Sequence, residues 1–214
     1  MASYNFVQLY FNTITMMVFR VACAVIFSAM AAYAFARLEF PGKNFFFGLV
    51  LIQMMAPVQV FIIPQYLMID AMHLRNTIFA LVFPGLVSAF GTFLLRQFFM
   101  GLPKELEEAS VLDGCNIGQT FARVMMPLAK SGMVALGIFT ALFSFKDLMW
   151  PMIVNTDISK STLAAALAII QGAISVNYPQ LMAACVLAIL PMLIIYIIFQ
   201  KQFIAGIATS GGKL

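Results

Sequence analysis

The chain has 214 residues, 63% of them hydrophobic and 9% charged, with a mean hydropathy of +1.00. Soluble domains run nearer about half apolar and about a quarter charged, so one globular core cannot hide this excess. Nucleic-acid binders, secreted disulfide scaffolds and disordered tails are excluded, and a net charge of +4 is too thin a basic excess for a polyanionic ligand. Cys23, Cys115 and Cys185 are odd in number and lack metal-ligand spacing, so they read as small apolar residues.

A helix needs about 20 mostly apolar residues to cross about 30 Å of hydrocarbon. Uncharged runs lie between Arg20 and Arg37, Lys43 and Asp70, and Arg75 and Arg96, with a shorter one from Lys130 to Lys146. The forty uncharged residues between Lys160 and Lys201 are too many for one helix. The polar stretch Gln171–Gly172 to Asn177–Tyr178–Pro179–Gln180 divides them, leaving a partly buried or interfacial segment at Thr162–Ile174. Five spans are expected, at about 14–36, 45–69, 77–99, 127–148 and 181–200, in a single domain over 1–214. The fold class is therefore all-α, a polytopic membrane helical bundle.

Arg20 stands seventeen residues before Arg37, which is about 25 Å of helix, so the sequence predicts that it snorkels to an interface. By the same count Lys146 and Asp147 fall near an interface, beside Trp150 as an aromatic-belt residue. Alternating the spans gathers Arg37, Lys43, Arg96, Lys104, Arg123, Lys130, Lys201 and Lys213 on one side. The other side keeps Arg75, Lys146, Lys160 and, near its interface, Arg20. The richer side is expected in the cytoplasm, with the amino end outside and the carboxyl end inside. Met1–Tyr10 has no positive n-region, so this outside start predicts a further helix before the segment.

One segment is not membrane-like. Residues 101–114 hold four of the eight acidic residues and lie on the cytoplasmic side. Pro103 suits a first helical position, and Glu105, Glu107 and Glu108 suit the positive end of a short helix. Gly114 is a left-handed stop. Leu102, Leu106, Ala109 and Leu112 make one narrow apolar stripe. Cys115–Arg123 follows as a second short amphipathic stretch, and Pro127 opens the next span. Such a short helix is not stable alone and needs a groove. Its acidity argues against an anionic membrane surface, where amphipathic helices are rich in Lys and Arg; a protein groove is the better partner.

Glu108-Ala109-Ser110, three residues, Gly114, nine residues and Val124-Met125-Met126-Pro127 resemble the EAA motif of ABC-importer permeases. Ser110 replaces the second Ala of that motif, Val124 its Ile and Met126 its Leu. The stretches Ala32–Gly42, Ile63-Pro64, Leu102–Ala109, Leu148–Pro151, Leu181–Ala184 and Gln200–Lys213 are similar to the carbohydrate branch, the group of maltose and glycerol-3-phosphate permeases. The resemblance runs from about Phe6 to the end. It implies a type I importer permease of six spans, one of two homologous permease subunits in a bacterial inner or plasma membrane. The EAA loop (about 101–123), with Leu106, Glu108, Ala109, Ser110, Leu112, Gly114, Val124 and Pro127, would dock on a separate ATP-binding subunit. A solute-binding protein would deliver a sugar or oligosaccharide from outside. Two departures stand out: the family's first helix is missing, and Phe145-Lys146-Asp147 stands where the family has Trp-Asn before an acidic residue.

No P-loop or nucleophile–base set is present, and His73, the lone histidine, reads as a solvated loop residue. The chain is thus expected to be non-catalytic, without cofactor or metal of its own, with ATP and Mg on the partner. Candidates for the solute path are Gln53, Gln59, Gln65, Ser88, Thr140, Ser144, Lys146 and Asp147. The three glutamines, six residues apart, do not share a helical face, and some are expected to satisfy backbone groups freed by Pro57 and Pro64. Alternatives are the same role for glycerol-3-phosphate or a polyol, and, more distantly, a self-contained secondary transporter or membrane scaffold.

Overall fold

The computed structural model describes residues 5–172 and 178–211. The expected polar divider at Asn177, the end of the segment expected at Thr162–Ile174, and Lys213 lie outside the described residues. The described chain is helical, with no strand. It runs α1 (Phe6–Arg37), α2 (Lys43–Met55), α3 (Ile62–Ala71), α4 (Ile78–Val82), α5 (Ala89–Met100), α6 (Glu105–Leu112), α7 (Ile117–Thr120) and α8 (Met126–Leu128). Then come α9 (Lys130–Lys146), α10 (Met149–Val154), α11 (Leu163–Gln171) and α12 (Tyr178–Gly211).

Only α1 is by itself long and apolar enough to cross a bilayer among the described residues; up to four such spans exist if each bent helix pair counts as one. Its 32 residues make about 48 Å of helix, more than the about 30 Å a bilayer core requires. Proline accounts for the first of the breaks. The expected span 45–69 is two helices, α2 and the turn-plus-helix Val58–Ala71, broken at Ala56–Pro57. Ala56, held extended by the following Pro57, ends α2 (ψ 134°). Pro57 thus sits between helices, and Pro64 falls in the first turn of α3, where no intrahelical partner is lost. The side chains of Gln53, Gln59 and Gln65 make no hydrogen bond among the described residues, so none of them caps a backbone group at these prolines, which corrects the role expected for them.

The expected span 77–99 is likewise broken, between Gly85 and Ala89, with Pro84 in the 3-10 turn that ends its first part. Thr77 and Ser88 cap α4 and α5 through their hydroxyls. Pro84 has no N–H to offer the Ala80 carbonyl four residues back; Trp150 Nε1 donates to that oxygen instead, at 2.8 Å. Arg20 Nε donates to the next carbonyl, Leu81, at 2.9 Å. Pro191 inside α12 leaves the Leu187 carbonyl in the same position, and the Tyr10 hydroxyl donates to it. Side chains from other helices thus replace hydrogen bonds that proline removes, as burial in lipid demands.

The expected span 127–148 also shifts. Residues 117–128 and α9 meet at 76°, and Phe121–Met125 ahead of Pro127 is a π-helical turn. Pro127 therefore belongs to the approach to α9, not to its start.

The chain forms two compact units, described separately. The first comprises Met1–Val21, Val58–Leu86 and Phe139–Gln200. Its core is Met16, Ile69, Ala80, Leu81, Val82, Trp150 and Val154, with a second cluster at Leu9, Leu163 and Ala166. The second comprises Ala22–Pro57, Val87–Ile138 and Lys201–Leu214. Ala29, Ala32, Tyr33, Leu95, Phe99, Met125, Ala129 and Leu136 make its core. Around these cores the surface is apolar: α2 buries no residue at all, and Phe11, Val18, Phe19, Phe27 and Phe45 are exposed. Water does not support so much apolar surface, whereas hydrocarbon does.

Candidate functional site: the α6 corner and its supports

α6 is an eight-residue helix carrying Glu105, Glu107 and Glu108 in its first turn. It ends in a Schellman motif: Cys115 N–H donates to Ser110 O and Gly114 N–H to Val111 O, both at 2.9 Å. Gly114 sits at φ 82°, a left-handed conformation costly for any residue with a Cβ. The next helix starts on a capping box, with Asn116 Oδ1 accepting from Gln119 N–H and Gln119 Oε1 accepting from Asn116 N–H, each at 2.9 Å. An Asn-x-x-Gln spacing was the sequence signal for this second start. The whole corner is therefore locally determined and stiff.

The two faces of α6 differ in chemistry. Ser110 is 5% exposed, and its hydroxyl pairs with that of Thr120 at 2.8 Å. Glu107, three residues earlier on the same face, stands against Arg37 of α1, with Nε to Oε2 at 3.4 Å. The inward face is thus polar and paired. The outward face carries the apolar residues: Val111 and Leu112 are exposed, Leu112 by 88%, Leu106 is partly so, and Ile117 extends the patch. Glu105, Glu108 and Ala109 are exposed beside them. Leu102, expected in the same stripe, instead packs with Val124 against the second unit's core. Pro127 is exposed.

No side-chain hydrogen bond or ion pair joins the candidate path residues to one another among the described residues. Gln53 and Gln59 are exposed and Gln65 is half-buried, and none of the three makes a hydrogen bond among the described residues. Gln53 belongs to the second unit, Gln59 and Gln65 to the first. Ser88 is taken up as the α5 cap, Thr140 is half-buried, Ser144 is buried and Lys146 exposed. His73 is exposed in a left-handed turn, φ 56°.

Asp147 is paired outside that set, and it corrects the reading of Arg20. Arg20 does not snorkel: it is 5% exposed, its Nη1 bonds Asp147 Oδ2 at 2.8 Å, and its Nε and Nη2 bond Leu81 O. Trp150 is no belt residue either, being 4% exposed in the core with its indole N–H spent on Ala80 O. Sequence counting missed both because their acceptors, Asp147, Leu81 O and Ala80 O, lie 61 residues or more away along the chain. The role of Arg37 was missed for a related reason: its partners are remote in sequence.

Comparison with known proteins adds the following. The family described as binding-protein-dependent transport system inner membrane component matches residues 24–209. The arabinooligosaccharides transport system permease protein AraQ of Halalkalibacterium halodurans is 36% identical over 202 residues, covering 94% of this chain and 72% of that protein. The sn-glycerol-3-phosphate transport system permease protein UgpE of Salmonella typhi is 34% identical over 185 residues, covering 86% and 66%. A chain from the crystal structure of a bacterial ABC transporter involved in the import of the acidic polysaccharide alginate superposes with a TM-score of 0.81. It is 26% identical, with 92% of this chain and 74% of that one covered.

Proposed function

The chain belongs to the family of inner-membrane components of binding-protein-dependent transport systems, and from that premise we propose that it forms half of the solute pathway of an ATP-driven importer. Energy enters through α6. The observation that carries this reading is the inverted surface of that helix: Glu107 and Ser110 are held inward, while Val111, Leu112 and Ile117 face outward. Exposed apolar side chains beside Glu105, Glu108 and Asp113 suit a protein groove with basic rims, and they suit an anionic leaflet poorly. The groove belongs to a separate ATP-binding subunit, which holds ATP and Mg. This chain is non-catalytic and transmits motion between inward- and outward-open packings. A second homologous permease completes the pathway, and an extracytoplasmic solute-binding protein loads it.

The α6 side is cytoplasmic, with the amino end of the segment outside and the carboxyl end inside, in keeping with the Lys and Arg bias. Spans run at about 14–36 and 181–200, with broken spans over 45–69 and 77–99 and a fourth carried by Lys130–Lys146. The solute is a sugar or oligosaccharide, in line with the arabinooligosaccharide relative. Glycerol-3-phosphate or a polyol is the second reading, which the UgpE relative supports. Gln53, Gln59, Gln65, Ser144, Lys146 and Asp147 are the proposed polar contacts of the path. The test is reconstitution of the chain with its sister permease, ATPase and binding protein in liposomes, with labelled arabino-oligosaccharide and glycerol-3-phosphate. ATP-dependent accumulation of the first is expected. Transport by the chain alone, driven by an ion gradient, refutes the reading.

A further inference from the structure

α6 is joined to α5 by the four residues Gly101–Lys104 and is not adjacent in sequence to α1. Yet the last residue of α1 reaches it. Arg37 Nη2 donates to the Phe99 and Leu102 carbonyls, at 2.6 and 2.5 Å, at the end of α5. Phe99 O lies in the last turn of α5 and also accepts from Leu102 N–H, and Leu102 O lies just beyond that helix. The guanidinium is thereby fixed in orientation, with Nε aimed at Glu107 of α6. The Arg37 side chain is only 6% exposed and that of Glu107 18%, so water screens this contact little.

Resting on the reading that α6 seats in an ATPase groove, we propose that Arg37 is a positioning residue for coupled transport, carrying displacement of α6 into α1. Its Nε is buried and has no hydrogen-bond partner among the described residues. The 3.4 Å to Glu107 Oε2 exceeds the about 2.7–2.9 Å of a charge-assisted hydrogen bond. The pair is half-engaged here, and pressure on the outer face of α6 closes it. That supplies a contact differing between the two states, which any ligand-driven switch requires. Only arginine can do this. Its planar fork serves two backbone carbonyls and a carboxylate at once, whereas a lysine ammonium has no such fixed geometry. α1 is continuous from Phe6 to Arg37, so what Arg37 receives enters one unbroken helix.

The test uses the assembled importer in nanodiscs, with R37Q, R37K, E107Q and the R37Q/E107Q pair. Co-purification of the ATPase and a photo-cross-link from position 112 report docking; solute imported per ATP hydrolysed reports transmission. Docking should persist while solute per ATP falls about tenfold in each single variant, and the double variant should be no worse than either single. An unchanged ratio in assembled complexes, or fully additive losses, overturns the proposal. If the Arg37 variants fail to assemble, E107Q decides, because it keeps the side chain's size and removes its charge. Absence of the position-112 adduct in the otherwise unaltered chain refutes ATPase docking itself, and this inference with it.

Discussion

Two arginines on α1 meet opposite neighbourhoods. Arg20 is buried in the first unit, where it holds Leu81 O and Asp147 beside the Pro84 break. Arg37 caps the helix in the second unit, where it holds Phe99 O, Leu102 O and Glu107. Each takes backbone carbonyls near a helix end, together with one carboxylate. The difference lies in what the carboxylate belongs to. Asp147 stands in the fixed junction between α9 and α10, whereas Glu107 rides a short helix whose other face is bare. The first arrangement is a staple and the second a coupling, although residue counting along α1 assigns both arginines to an interface.

The staple predicts the largest effect. Arg20→Ala leaves a largely buried Asp147 unpaired and Leu81 O without its donor, which should destabilise the chain by about 3–5 kcal/mol. Thermal unfolding of the purified chain in detergent measures this, and an unchanged midpoint would break the comparison. Gly114→Val comes next. Forcing a β-branched residue to φ 82° costs about 1–3 kcal/mol and distorts the α6 stop, so uptake should be lost with the ATPase uncoupled or unassembled. Wild-type uptake and ATPase recovery would count against it. Trp150→Phe keeps the ring in the core and removes the donor to Ala80 O, an expected loss of about 1–3 kcal/mol in the same unfolding assay. Equal stability would show that Pro84's missing N–H needs no replacement.

A smaller effect is expected for Ser110→Ala combined with Thr120→Val. Removing both hydroxyls of a buried pair leaves no orphan, so uptake and stability should stay near wild type, while Ser110→Ala alone costs more. The smallest is a pH effect in the 155–162 loop. Asp157 is held below the ordinary carboxylate range chiefly by hydrogen bonds from the Ser159 hydroxyl and amide. Its folded pKa being the lower one, its contribution to loop order is fully present above about pH 4 and fades as the pH falls further. Amide exchange at Ser159 should therefore quicken in Asp157→Asn at neutral pH and converge with the unaltered chain in acid.

These contrasts also mark what the sequence could tell. The α6 helix, its acidic first turn and its Gly114 stop are local chemistry, and local chemistry reads directly from residues 101–114. The all-helical character follows from the composition in the same way. What stayed hidden was non-local. The spans 45–69 and 77–99 read as unbroken, and the donors that Ala80 O, Leu81 O and Leu187 O recruit depend on which helix lies alongside. Charge spacing likewise placed Arg20 at a plausible depth without revealing that Asp147, 127 residues on, would keep it buried. The glutamines of the proposed path remain unpartnered among the described residues, and composition alone could not group them.

The central claim is that the outer face of α6 seats in a nucleotide-hydrolysing subunit. A photoreactive residue at position 112, which is exposed, paired with one at 110, which is buried, tests it in the intact membrane. The account predicts an adduct with the ATPase from 112 and none from 110. An adduct from 112 with phospholipid alone, or equal yields from both positions, would contradict it.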